Sequence, residues 1–114
     1  MYQDLRVWQK SIELVKEIYL LVEKLPSKEN YVLSDQMRRA VISIPSNIAE
    51  GSGRSSRDEY KRFLKIARGS QYELQTQIYI CVELNYFTKA DTVKANELIT
   101  EVGKMLNNLI KSLG

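Results

Sequence analysis

With 114 residues, 44% of them hydrophobic, and a formal net charge of +3, the chain suits one globular domain with an aliphatic core. The absence of histidine removes the commonest general base and metal ligand, and a single cysteine excludes an internal disulfide. The sequence has neither an apolar run long enough to span a membrane nor the apolar segment of a secretory signal, so we predict a cytoplasmic protein with no membrane contact and no cofactor.

Four segments show the apolar spacing of three and four residues that is typical of amphipathic helices. The first is predicted over residues 4–24 and ends before Pro26, which cannot continue a helix. The second covers residues 28–50, and the third, over residues 56–85, begins at a capping box formed by Ser56 and Glu59. The fourth covers residues 89–113, with Thr88 as N-cap and Asp91 at its third helical position. Helices of this length joined by short turns predict one all-α domain, residues 1–114, folded as an antiparallel up-down-up-down four-helix bundle.

The apolar stripes of these helices define the expected core. That core consists of Leu5, Trp8, Ile12, Val15, Tyr19 and Val22, widened by Ile18, Leu21 and Leu25; of Leu33, Met37, Ala40, Val41, Ile44 and Ile48; of Tyr60, Phe63, Leu64, Ala67, Leu74, Ile78, Cys81 and Val82; and of Leu98, Ile99, Val102, Met105, Leu106, Leu109, Ile110 and Leu113. Because Cys81 lies on a core stripe and has no histidine partner, we interpret it as a structural thiol.

Three residues interrupt the regular helical pattern. Pro45 lies inside the second helix and predicts a kink there, with Ser43 or Ser46 bonding to a freed carbonyl group. Gly51 follows that helix, at a position that usually needs a left-handed conformation. Gly69 costs roughly 1 kcal/mol relative to alanine in a helix, so we expect another backbone or side chain to approach it closely.

A resemblance to a known family is carried by two stretches, SIPSNIAEGSGR at residues 43–54 and IARGSQYELQTQIYI at residues 66–80. They are similar to the four helix bundle protein family, also called the 23S rRNA intervening sequence protein family, and the similarity extends over nearly the whole chain. The resemblance implies the four-helix bundle that the helical pattern also predicts. It also implies a homopentamer, because structurally characterised relatives are homopentameric barrels. A related accessory protein of diversity-generating retroelements is a basic pentamer that binds nucleic acid and a reverse transcriptase.

Four polar residues of the second and third helices belong to this family signature: Asn47, Glu50, Glu73 and Gln77. One interpretation is that they are solvated. The other is that they form a cluster that joins the two helices and fixes helix register or a subunit interface, with Arg38 or Arg54 neutralising the glutamates, because buried charges need partners. An enzyme that uses the two glutamates is a further hypothesis, but two carboxylates are too few for a convincing metal cluster. We predict no catalytic residue and no metal ligand.

Two apolar residues of the second helix, Ile42 and Ala49, lie off its core stripe, on the side of Arg38. Single exposed apolar residues are ordinary. The alternative is that both residues, with part of the first helix, form a contact between subunits.

Positive charge is concentrated between residues 38 and 68, where eight basic residues stand against three acidic ones; the rest of the chain has nine basic and eleven acidic residues. On the third helix the cations form a narrow stripe, extended by Tyr72, that consists of Arg57, Lys61, Lys65 and Arg68. A charged stripe on a helix is usually a solvated face. The alternative is phosphate binding, since lysine and arginine displace counterions from nucleic acid and tyrosine rings stack on unpaired bases.

We therefore predict a non-catalytic homo-oligomer, pentameric by resemblance, that binds nucleic acid, RNA before DNA. The predicted phosphate contacts are Arg54, Arg57, Lys61, Lys65 and Arg68. The alternative is a scaffold, similar to the retroelement accessory protein, that binds another protein and contacts nucleic acid only incidentally.

Overall fold

A computed structural model describes residues 1–114. The chain folds into four α-helices and three short 3-10 turns. The helices are α1 (Arg6–Val22), α2 (Leu33–Ser52), α3 (Arg57–Glu83) and α4 (Val93–Ser112), and the 3-10 turns are Tyr2–Asp4, Ser27–Glu29 and Ala90–Thr92. The structure contains no strand. The prediction of an all-α four-helix bundle is confirmed.

The four helices pack as a ring in which α1 contacts α2 and α4, and α3 contacts α2 and α4. Contacts between α2 and α3 join residues in reverse chain order. Met37 lies against Cys81, with 3.8 Å between the sulfur atoms, and Ser43 lies against Ser70, with 2.8 Å between the hydroxyl oxygens. Such contacts are expected of antiparallel neighbours, and they place Ser43 of α2 beside Ser70 of α3.

The centre of the bundle is a single cluster of 22 buried apolar residues. The predicted stripe of α2 is confirmed, because its five residues from Met37 to Ile48 are all buried. In α3 the middle of the predicted stripe is buried, whereas Tyr60, Phe63 and Val82 are only partly covered. Burial of this aliphatic cluster supplies the main driving force for folding.

The predicted core face of α1 is displaced from the observed one. The buried apolar residues of α1 are Val7, Leu14, Ile18, Leu21 and Val22. Val22 of the predicted stripe is buried, and so are the three residues predicted to widen it, Ile18, Leu21 and Leu25. The remainder of the stripe is not: Leu5, Trp8, Ile12 and Val15 are partly covered, and Tyr19 is exposed. The apolar band of α1 is wide, so its spacing does not distinguish the centre of the band from its edge.

The predicted cap of α3 is confirmed, whereas the prediction of Thr88 as the N-cap of the fourth helix is wrong, because the N-cap of α4 is Thr92. The Ser56 hydroxyl accepts a hydrogen bond from the Glu59 N–H at 3.1 Å. Thr88 and Asp91 bond reciprocally: the Thr88 N–H donates to the carboxylate at 2.9 Å, and the Asp91 N–H donates to the threonine hydroxyl at 3.1 Å. The bond from the Thr88 backbone lowers the pKa of Asp91. This pair begins the 3-10 turn Ala90–Thr92, however, and α4 starts only after that turn.

The prediction for Gly51 is wrong, and no part of the same chain approaches Gly69. Gly51 lies inside α2 and is buried, so it is not the left-handed residue beyond a helix end. A Cβ atom at this position would lie 2.8 Å from the Phe63 Cβ and 3.0 Å from the Tyr60 Cδ1, so α3 approaches α2 closely at Gly51. Gly69 has no atom within 4 Å of the position that a Cβ would occupy, and it faces open space.

The α2 helix continues through Pro45, which is buried. The predicted serine bond to a freed carbonyl group is absent. The Ser43 hydroxyl instead accepts hydrogen bonds from Asn47 at 2.9 Å and from Ser70 at 2.8 Å, and Ser46 makes no side-chain hydrogen bond. The kink at Pro45 stays a prediction.

Cys81 is buried in the core. Burial, assisted by the negative charge of Glu29, raises the pKa of its thiol to about 11. The thiol is therefore protonated at neutral pH, which is the state of an unreactive structural cysteine. None of the four helices combines the length and the apolar character that a membrane span requires.

Candidate nucleic-acid interface

The basic stripe of α3 lies on the side of that helix that faces α4. The Lys61 ammonium group donates a hydrogen bond to the carbonyl oxygen of Gly114 at 3.0 Å, and the Arg68 guanidinium group donates to the Asn107 side-chain oxygen at 2.9 Å. Arg57 and Lys65 are exposed and have no hydrogen-bond or ion-pair partner within the chain. The structure therefore places these four predicted cations along one edge of the bundle.

Little negative charge opposes this stripe. Lys61 is 3.7 Å from the carboxylate of Asp58, whose side chain is 95% exposed. The Lys61 side chain is 22% exposed, but because its acidic partner is almost fully solvated, this ion pair contributes little energy. The partner of Arg68 is a neutral amide. Three of the four cations thus keep an unopposed positive charge.

Arg54 does not belong to the stripe. It forms an ion pair with Glu50 at 3.0 Å, and its guanidinium carbon lies 4.8 Å from the centre of the Phe63 ring. Arg62 lies 4.6 Å from the centre of the same ring. Arg54 is therefore neutralised at the junction of α2 and α3, and the structure does not bring it together with the other predicted phosphate contacts.

The α4 helix adds two cations that the sequence analysis missed. Lys104 and Lys111 are exposed and have no ion-pair partner. They lie three residues before and four residues after Asn107, so they share its side of the helix. That spacing is the signal that was available in the sequence. We call the combined set the basic surface: Arg57, Lys61, Lys65, Arg68, Lys104 and Lys111.

A polar link between α2 and α3 exists, but it does not contain the glutamates. The Asn47 amide donates to the Ser43 backbone oxygen at 2.8 Å and to the Ser43 hydroxyl at 2.9 Å, and the Ser70 hydroxyl completes the link from α3. Of the signature residues, only Asn47 takes part. Arg38 is also absent from it, because its guanidinium carbon lies over the Tyr19 ring, 5.7 Å from the ring centre.

Known proteins are similar to this chain in both fold and sequence. The family model described as 23S rRNA-intervening sequence protein matches residues 3–108. The chain belongs to this family. It is also similar to a crystal structure from Bacteroides thetaiotaomicron, of a protein with unknown function from the S23 ribosomal protein family. The TM-score is 0.85 and the sequence identity 29%, over 92% of this chain and 98% of that one. No curated protein matches the chain.

In this 23S rRNA-intervening sequence family member, the two signature glutamates have separate surroundings. Glu50 pairs with Arg54 at 3.0 Å, whereas Glu73 is exposed and has no ion-pair or hydrogen-bond partner. No group of three or more Cys, Asp or Glu residues is arranged to hold a metal ion. The structure therefore does not assemble a paired-carboxylate site from these two residues.

Replacement of Glu73 by alanine is expected to change the free energy of unfolding by less than about 0.5 kcal/mol, because an exposed side chain without partners contributes little. Urea unfolding and light scattering at one protein concentration measure the outcome. A lower stability at unchanged mass would show that Glu73 is paired within the subunit, contrary to its observed exposure. A lower mass would place it at a subunit contact.

Buried amides are a second feature of this family member. Gln77, a signature residue, is 5% exposed, and its side-chain oxygen has no hydrogen-bond partner. Gln71 is also 5% exposed and donates to the Ile99 carbonyl oxygen at 3.5 Å, which links α3 to α4. Gln71 lies seven residues after Leu64 and three before Leu74, so its spacing alone predicted burial. It was overlooked because it is polar.

The predicted subunit-contact residues differ in exposure. Ile42 is 43% exposed on the outer side of α2. Ala49 is partly buried and borders a groove formed with the N-terminal residues Met1, Tyr2 and Leu5. Only Ile42 therefore presents a free apolar side chain at this face.

Proposed function

We propose that this protein is a non-catalytic homo-oligomer that binds nucleic acid, RNA before DNA, through the basic surface. The observation that carries the proposal is the set of six cations on α3 and α4, of which only Lys61 has an acidic partner. Lysine and arginine side chains without an acidic partner displace the counterions of phosphate groups when they bind nucleic acid. The resulting affinity depends strongly on salt and little on base sequence.

Assembly would multiply the contribution of each subunit. One basic surface offers few phosphate contacts, but several copies held together bind one strand with a high effective concentration. Exposed apolar side chains on α2 and α3 support self-association: Ile42, Ile66, Ile80 and Leu84. A pentamer is the number that the family resemblance implies. We also propose a cytoplasmic location, because the free thiol of Cys81 suits a reducing compartment.

The same apolar residues favour a second candidate function, a scaffold that binds another protein. The exposed fractions of Ile42, Ile66, Ile80 and Leu84 range from 39% to 51%. In that case a partner rather than a further copy of the chain would cover them, and the affinity for RNA would be weak at every salt concentration.

The test is a titration of labelled single-stranded RNA at 50 and 200 mM salt, with the mass of the protein measured by light scattering. About four phosphate contacts on a single strand predict a loss of affinity of roughly 50-fold between the two salt concentrations. A monomeric mass, or an affinity that does not change with salt, would contradict the proposal.

A further inference from the structure

The basic stripe of α3 continues into a stretch that carries tyrosines instead of cations. Lys65, Tyr72 and Tyr79 follow one another at intervals of seven residues, so they lie on one side of the helix. Tyr72 is 56% exposed and Tyr79 is 66% exposed. Neither ring packs against another aromatic ring or a cation, and neither hydroxyl group makes a hydrogen bond. Two large side chains on the line of the cations are thus left without a partner.

Both rings border open grooves. One groove, of about 370 Å³, is lined by Tyr72, Gln75, Thr76 and Tyr79. It adjoins a second groove, of about 520 Å³, that lies between α3 and the start of α4 and shares Gln75 and Tyr79. We call the two together the tyrosine groove. Each has the size of a site for a small ligand.

The chemistry of the tyrosine groove differs from that of the basic surface. Ile78, Val82 and Val93 give the larger groove an apolar wall, and the amides of Gln75 and Asn96 supply donors and acceptors at its edge. Lys89 is its only cation, and Glu83 places a carboxylate in the same groove. A carboxylate disfavours phosphate but accepts hydrogen bonds from the amino groups of bases. The groove therefore suits a planar, uncharged group that carries polar edges.

We propose that the tyrosine groove binds an unpaired base of the RNA strand whose phosphates lie on the basic surface. This inference rests on the proposed function and adds the class of ligand, which is single-stranded RNA. Sequence-tolerant binding of single strands combines a cationic track with aromatic rings on which bases stack. Tyr72 lies about 10.5 Å along the helix axis from Lys65, since each residue rises about 1.5 Å. A base inside a duplex is already stacked and paired, so it cannot reach the rings.

The test compares three labelled or competing polyanions: a single-stranded RNA of mixed sequence, the matching RNA duplex, and inorganic polyphosphate, which has no bases. The variant Y72A/Y79A removes both rings, and Y72F/Y79F keeps them. Y31A is a matched control, because Tyr31 is 93% exposed and lies outside the groove. Since all these tyrosines are exposed, thermal unfolding should not change.

We expect Y72A/Y79A to lose roughly 10-fold or more in affinity for single-stranded RNA and to keep its affinity for the duplex, because each stacked base contributes substantially. Y72F/Y79F and Y31A should bind as the unchanged protein does. The salt dependence should be the same in all variants, since no cation is altered.

Several results would overturn the inference while leaving the proposed function intact. They are wild-type affinity of Y72A/Y79A for single-stranded RNA, equal losses for single strand and duplex, or polyphosphate binding as tight as RNA binding. A lower oligomer mass in Y72A/Y79A would show that the rings contact a second copy of the chain, and this also rejects the inference. Absence of binding to every polyanion would reject both proposals.

Discussion

Replacement of both Arg57 and Lys65 by glutamate is expected to lower the affinity for single-stranded RNA by roughly 10- to 100-fold at low salt, since each change removes one phosphate contact and adds a repulsive charge. Neither side chain has a hydrogen-bond or ion-pair partner within the chain. The variant should therefore unfold at the same temperature and have the same oligomer mass. The dependence of log affinity on log salt should become shallower by about 1.4 per contacting subunit, at ~0.7 for each lost contact.

A matched control reverses two lysines elsewhere. Lys16 and Lys28 are exposed and unpaired, and K16E/K28E changes the net charge by the same amount as R57E/K65E. If the basic surface is the binding site, K16E/K28E should bind RNA nearly as well as the unchanged protein. Equal losses in the two variants would mean that net charge alone attracts RNA, and the basic surface would then have no special role.

Replacement of Gly51 by alanine is expected to destabilise the bundle by up to about 2 kcal/mol. The added methyl group would lie 2.8 Å from the Phe63 Cβ and 3.3 Å from the Tyr60 carbonyl oxygen. Neither atom is the end of a flexible side chain, so α2 and α3 must separate. Overpacking typically costs about 1–3 kcal/mol, which exceeds the gain of about 1 kcal/mol that alanine brings to a helix. Urea unfolding at a fixed protein concentration measures the change.

The identical substitution at Gly69 should have the opposite effect. No atom lies within 4 Å of the position of an added Cβ, so only the gain in helix propensity remains, about 0.5–1 kcal/mol of stabilisation. Destabilisation by both substitutions to a similar extent would contradict the close approach inferred at Gly51. If G69A lowered the oligomer mass, Gly69 would lie at a contact between subunits.

Gly51 and Gly69 show that residue spacing predicts which segments are helical but not how closely two helices pack. The helical position of Gly69 is confirmed because apolar periodicity is a local property, whereas α2 continues through Gly51 to Ser52, two residues beyond its predicted end. Their packing does not follow from spacing, because it depends on how far α2 stands from α3 at each level of the bundle, which no single helix encodes. The displaced core face of α1 has a similar cause, since its partners select which edge of the wide apolar band is covered.

The basic surface, like the fold, could be predicted from the sequence only in part. The stripe of Arg57, Lys61, Lys65 and Arg68 follows from helical spacing alone, and the structure keeps it on one edge. Arg54 was assigned to it by proximity in sequence, but the chain turns between α2 and α3, and Glu50 and Phe63 hold Arg54 on the other side. The sequence shows that Lys104 and Lys111 share one side of α4, but only the packing of α4 against α3 places that side next to the stripe.

The hydrogen bonds of Lys61 and Arg68 reduce the side-chain entropy that binding of RNA would cost. Gly114 and Asn107 hold these two side chains in place by hydrogen bonds, and Arg68, whose acceptor is a neutral amide, also keeps its charge unopposed. Immobilising a long side chain upon association costs about 0.5–1.5 kcal/mol of rotamer entropy, and for this pair much of that loss already occurs when the chain folds. Arg57 and Lys65 retain their freedom and can adjust to an irregular strand. In the proposed complex with RNA, each chain would thus combine two preorganised anchors with two adaptable ones.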